Sequence, residues 1–165
     1  MALPWPRPSR LAPLTHLADI YFHQRNTREH AAALALRDAV LRLRRDGAFV
    51  AVPLFRVNTS PIGPHPAGSY EIWCPRESFA AVYSYLTLHR GDLSVLVHPL
   101  TQEARKDHDS RATWMGPPYR LDLDTLPVWE DNAQSQYHRL STLLVCLLRA
   151  LTLCRAGIFH RAASS

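Results

Sequence analysis

The feature that most constrains this chain is a strict two-residue alternation over residues 17–23. Ala18, Ile20 and Phe22 fall on one side of an extended segment, and Leu17, Asp19, Tyr21 and His23 on the other, which is the period of a half-buried β-strand. The period then becomes helical. Asn26 with Glu29 three residues on resembles a capping box. Ala33, Leu36, Val40 and Leu43 form one apolar stripe at helical spacing. Arg37, Arg42, Arg44 and Arg45 lie mostly off that stripe, and Gly47 is placed to end the helix.

A second set of elements follows. Residues 48–56 are rich in Val and Phe and predict a second strand, which Pro53 marks as an edge. A loop over 57–68 carries Pro61, Gly63, Pro64 and Pro66. The third strand, 69–74, puts Tyr70, Ile72 and Cys74 on one face and Ser69, Glu71 and Trp73 on the other. Pro75 suits the first turn of a second helix, whose buried face is Phe79, Val82 and Leu86 and whose end Gly91 follows. Residues 93–98 close the pattern as a fourth strand. The order βαββαβ predicts an α+β, ferredoxin-like fold, with a four-stranded antiparallel sheet covered by two helices on one face and open on the other.

Composition sets the outer limits. With 165 residues the chain fits one domain and some trailing sequence, and 47% apolar residues suffice for a packed core. Collagen-like, coiled-coil and wholly disordered architectures are excluded. Residues 1–16 form a Pro-rich lead with no continuous apolar stretch of the kind a secretory signal needs. Residues 17–128 form the domain, and 129–165 a linker and Leu-rich tail expected to be helical. Arg149 and Arg155 interrupt that tail, so no membrane span is expected, and a core cut off after Glu130 is expected to fold by itself. Cys74, Cys146 and Cys154 are too few for a disulfide framework and make no CxxC pair, which points to a reducing, cytoplasmic setting. A formal charge of +5 on such a sheet raises the question of RNA. The third strand, Gly-Ser-Tyr-Glu-Ile-Trp, puts an acid where an RNA-binding strand needs basic and aromatic residues, and nucleic acid is not expected.

Strand phase directs attention to the open face. If Ile20 and Phe22 face the helices, then Asp19, Tyr21, Glu71, Trp73, Ser94, Leu96 and His98 share the other side, with His65 and His108 in adjoining loops. Imidazoles and carboxylates together suit Fe(II), Zn(II) or Mn(II), and two histidines with one carboxylate leave positions open for other ligands. The spacing matches no HExxH or HxH motif, so on spacing alone scattered surface histidines are the favoured account.

Several motifs in order bear on that choice. Gly63-Pro64-His65-Pro66, Tyr70-Glu71, the run from Leu93 through His98-Pro99-Leu100-Thr101, Asp107-His108 and Trp114-Met115-Gly116 together resemble the DOPA 4,5-dioxygenase family over 17–128. The resemblance implies a small extradiol dioxygenase that opens the ring of L-DOPA or a related catechol with O2 and a non-haem metal. Fe(II) is the expected ion, with Zn or Mn as alternatives, and the products feed betalain-type pigments. It makes His65, His98 and His108 candidate ligands or acid–base residues, and Glu71 a carboxylate ligand or partner. Asp19 stands where the family usually has histidine, in an H-[VI]-Y-F run. A carboxylate can still ligate such a cation, or the chain is a weakened, inactive dioxygenase-like scaffold. The metal set expected is His65, His98, Glu71 and Asp19. For the substrate, Tyr21 and Trp73 would wall a flat ring and Arg111 would pair with its carboxylate. A homodimer is the expected assembly.

Overall fold

The computed structural model describes residues 15–53 and 56–131. The Pro-rich lead up to residue 14 and the Leu-rich tail, with Cys146 and Cys154, lie outside the described residues. Among the described residues no helix is long and apolar enough to cross a membrane.

The elements are β1 (His16–Phe22), α1 (Thr27–Arg45), β2 (Val52–Pro53), β3 (Gly68–Cys74), α2 (Phe79–His89), β4 (Ser94–Pro99), α3 (Ala104–His108) and β5 (Thr113–Met115). The sheet runs β2-β3-β1-β4-β5, every pair antiparallel. Its first four strands have the order of two interleaved, split βαβ units, as βαββαβ requires. The sheet has five strands where four were expected, because β5 pairs Met115, Trp114 and Thr113 with the outer edge of β4. Within the expected second strand, 48–56, ladder pairing among the described residues falls at Val52 and Pro53. Pro53 lacks an N–H, which fits the edge position β2 occupies.

Local chemistry fixes α1 at both ends. The Asn26 side chain accepts hydrogen bonds from the Arg28 and Glu29 N–H groups, and its Nδ2 donates to Glu29 Oε1 at 2.8 Å. Glu29 Oε2 accepts from the His23 N–H at 2.8 Å, so the reciprocal bond of the capping box reaches His23 instead of Asn26. At the other end Gly47 takes φ +80°, while the Ala48 N–H reaches Leu43 O and the Gly47 N–H reaches Arg44 O. That pairing satisfies carbonyls the helix end would leave bare. Ala33, Leu36 and Val40 are buried as the stripe predicts, with Leu43 half-buried. They pack with Val82 and Leu86 of α2 on Ala18, Ile20, Phe22, Tyr70, Ile72, Val95 and Val97. Cys74 is a free thiol buried in the same core.

The opposite face is covered, not open. Leu17, Asp19, Tyr21, Trp73, Leu96 and His98 are all buried. Ala67, Ala112, Trp114, Tyr119 and Leu121 pack over Tyr21 and Leu96, and the Asp122 N–H bonds Pro64 O at 3.0 Å. A sheet side bearing Leu17, Tyr21, Trp73 and Leu96 would otherwise show water several large side chains, each worth roughly 1.5–3 kcal/mol when buried.

Gly68 and Phe22 stand opposite each other in the β1–β3 register. A Cβ at Gly68 would lie 2.5 Å from Phe22 Cε2, and Phe22 is fully buried. Gly68→Ala is expected to destabilise the fold by about 1–3 kcal/mol through overpacking, read as a lower midpoint in urea unfolding. An unchanged midpoint would mean that the Phe22 ring has room to shift.

Candidate metal centre

The register sets three rows across the covered face: Leu17 with Trp73 and His98, Asp19 with Glu71 and Leu96, and Tyr21 with Ser69 and Ser94. Asp19 and His98 are each 1% exposed, so the centre of this face holds an acid and an imidazole cut off from water. His65 and His108 arrive from outside the four main strands. His65 closes a tight turn in which Ile62 and His65 exchange both backbone hydrogen bonds at 3.0 Å. Gly63, at φ +54°, supplies the left-handed position after Ile62, and Pro64 follows it with a fixed φ. This geometry accounts for the Gly-Pro-His run. His108 is the last residue of α3, not a loop residue.

One ligand atom each from Asp19, His65 and His108 lies within 4.8 Å of the other two. Atoms bound to a single ion at about 2.0–2.2 Å lie no more than about 4.4 Å apart, so the set fits a metal after at most a small side-chain adjustment. The imidazoles are also held by their far nitrogens. His108 Nδ1 is 2.9 Å from Ala104 O and His98 Nδ1 is 2.7 Å from Pro99 O. A ring that donates Nδ1–H to a carbonyl turns Nε2 toward its other neighbour, the usual support of a metal-binding histidine. His65 Nδ1 lies 2.6 Å from the Tyr21 hydroxyl, which leaves Nε2 of His65 for the cluster.

His98 and Asp19 provide the sharper test. His98 Nε2 and Asp19 Oδ2 are 3.3 Å apart, and neither has a hydrogen-bond partner. With Nδ1–H committed to Pro99, Nε2 is either protonated, facing the carboxylate as an ion pair, or a bare lone pair facing another. The second arrangement requires a cation between them, and unpartnered polar atoms this deep are costly in any state. The converging imidazole nitrogens of His65 and His108 and the carboxylate oxygen of Asp19 fit a divalent transition metal.

Electrostatics follow the same pattern. Burial alone would raise the Asp19 carboxyl, but His65, His98 and His108 outweigh it and hold Asp19 below the usual carboxylate range. Burial lowers His98, yet the adjacent Asp19 and the Pro99 carbonyl leave it above its ordinary value. Burial first, and then repulsion from His98, push His108 down to about 4, so it presents a neutral ring near pH 7. Burial and the charge of Asp19 push Glu71 up to about 7.

Not every expected residue joins the cluster. Glu71 faces the same side, opposite Asp19, but the converging ligand atoms belong to Asp19, His65 and His108. His98 adjoins Asp19 and lies against His108, the rings tilted with centroids 4.1 Å apart. Tyr21 and Trp73 are 1% and 2% exposed, so neither is an open wall for a ring. Tyr21 is already covered by Tyr119, stacked at 5.0 Å, and by Trp114 at 5.2 Å. Arg111 is not a free cation. Its guanidinium donates to Asp107 Oδ1 at 2.8 Å and Thr101 Oγ1 at 3.1 Å, and it also pairs with Glu103. Tyr119 was missed because no periodicity marks the Pro-rich segment that carries it. The Trp114-Met115-Gly116 motif had singled out Trp114 without a role.

A family model for the Dopa 4,5-dioxygenase family matches residues 16–125. The chain belongs to this family. It is 64% identical over 118 residues to a DOPA 4,5-dioxygenase from Amanita muscaria, covering 72% of this chain and 52% of that one. It is 37% identical over 113 residues to an uncharacterised 21.2 kDa protein from Botryotinia fuckeliana, covering 63% of this chain and 58% of the relative. The chain thus spans a little over half the length of these curated relatives. Among solved structures it resembles a candidate dioxygenase from Nostoc punctiforme, with TM-score 0.59 and 29% identity over 68% of this chain and 90% of the other.

The Glu71 shift has a defined pH signature. Its folded pKa is raised, so the stability it contributes is present below about pH 4.5 and is lost as pH rises toward and through 7. Glu71→Gln cannot ionise. Without metal, it is expected to exceed the parent's stability by on the order of 2 kcal/mol at pH 8 and to match it at pH 4. Unfolding midpoints at the two pH values check this, and an equal difference at both would contradict it.

Proposed function

We propose that this chain is an extradiol ring-cleaving dioxygenase that acts on L-DOPA or a closely related catechol with O2, at a non-haem Fe(II) centre. The observation that carries the reading is the convergence of Asp19, His65 and His108 ligand atoms beside the unpartnered His98 Nε2. Family membership and the named Amanita muscaria relative support the substrate class. Bound there, Fe(II) would supply coordination positions for the two catechol oxygens and for dioxygen.

Each residue has a role in this reading. Asp19, His65 and His108 hold the ion, and the carboxylate replaces an imidazole without loss of a donor. His98, shielded from water with Nε2 3.3 Å from Asp19 Oδ2, is the acid–base residue beside the carboxylate, which works against burial to raise its pKa. Tyr21 stays a neutral phenol because burial and the nearby acids push its pKa up, and it orients His65 through the 2.6 Å contact. Trp114 and Tyr119 cover the face and keep water from the ion. The weakened-scaffold reading rests on Asp19, but the position of Asp19 inside the cluster favours a working site. A cytoplasmic homodimer feeding pigment synthesis completes the proposal.

The test is oxygen uptake after anaerobic Fe(II) loading, with L-DOPA and a catechol panel. One O2 consumed per ring and a yellow semialdehyde product are expected, with mono-hydroxylated phenols inert. His65→Ala with His98→Ala is expected to abolish both metal retention and turnover. Bound metal with no oxygen-dependent product from any catechol would sink the enzymatic reading and leave the scaffold.

A further inference from the structure

α3 is only five residues long, too short to hold a helical shape by itself in water. Yet its last residue, His108, must be placed to within fractions of an ångström if it is to serve a metal. The turn before α3 shows how. Asp107 is 1% exposed, and its carboxylate accepts from Thr101 N at 2.7 Å, from Thr101 Oγ1 at 3.0 Å and from Arg111 Nη1 at 2.8 Å. Thr101 Oγ1 in turn accepts from the Glu103 N–H at 3.1 Å, and Arg111 pairs with Glu103 as well. These bonds fix residues 101–103 against the far end of α3. Ala104, whose carbonyl holds His108 Nδ1, is the next residue in the chain.

We propose that Asp107 and Arg111 are positioning residues, a latch of one buried carboxylate and one exposed guanidinium that locks α3 so that His108 presents Nε2 to the metal centre. The inference rests on the metal-centre reading above and extends it to residues that touch neither ion nor substrate. Without Arg111, the Asp107 carboxylate stays buried with only the Thr101 donors, and a buried charge stripped of its counter-charge drives local rearrangement. The rearrangement is carried to His108 through its neighbour, Asp107.

Co(II) titration of the full chain tests this, with affinity and visible spectrum as readouts and unfolding of the metal-free proteins followed separately. Arg111→Ala is expected to weaken Co(II) binding about tenfold, within the range for residues that orient ligands, and to alter the visible bands. Arg111→Lys, which keeps the charge, is expected to recover most of the affinity. In a His108→Ala background, Arg111→Ala is expected to have no further effect, because the two act through one ligand. A lower unfolding temperature for Arg111→Ala with unchanged affinity and spectrum would overturn the latch. So would an equal loss with or without His108. Failure of the unsubstituted chain to bind Co(II) would instead strike the metal-centre reading, and the latch with it.

Discussion

The second face of the sheet is organised around one buried carboxylate. Asp19 sits in the middle strand, between Glu71 and Leu96, and no solvent reaches it. An ionised acid in such a place must be compensated or it unfolds its surroundings. Three imidazoles supply the compensation, each from a different element: His98 from β4, His65 from the Gly63-Pro64 turn, and His108 from α3. The surrounding parts of this face follow from bringing those three rings to one point. The turn needs a left-handed glycine, α3 needs its latch, and Trp114 and Tyr119 pack over Tyr21, whose hydroxyl meets His65.

That arrangement separates two kinds of residue that family resemblance alone would merge. Asp19, His65 and His108 have ligand atoms that meet. His98 turns Nε2 toward Asp19, and its raised pKa contrasts with the lowered one of His108. Pairs of titratable groups driven apart by their environments are where acid–base roles are divided. The two rings are 4.1 Å apart between centroids; burial lowers both, but Asp19 outweighs it at His98, whereas repulsion from His98 adds to it at His108.

Much of this was legible in the sequence, and the reasons are physical. Alternation in β1, β3 and β4 fixes which side chains share a face, and so puts Asp19, Tyr21, Glu71, Trp73 and His98 on one side. The helical stripe of Ala33, Leu36 and Val40 identified the other face. What escaped was non-local or too short to show a period. β5 has three residues, and no alternation can be read from three. The Pro117-Pro118-Tyr119 segment covers the face by tertiary packing alone, so an open face was expected where a closed one stands. Arg111 looked like a free cation because its partners, Asp107 and Glu103, become neighbours only when α3 coils. The carbonyls of Pro99 and Ala104, which set the imidazole orientations, carry no sequence signal at all.

The central claim is that Asp19 and the surrounding histidines hold one metal ion between them, and X-ray absorption at the iron edge of the Fe(II)-loaded protein examines it directly. The account predicts a first shell of nitrogen and oxygen at about 2.0–2.2 Å, with outer-shell scattering from at least two imidazole rings that falls when His108 is replaced. Iron retained with no imidazole scattering, or scattering unchanged in His65→Ala and His108→Ala, would contradict it.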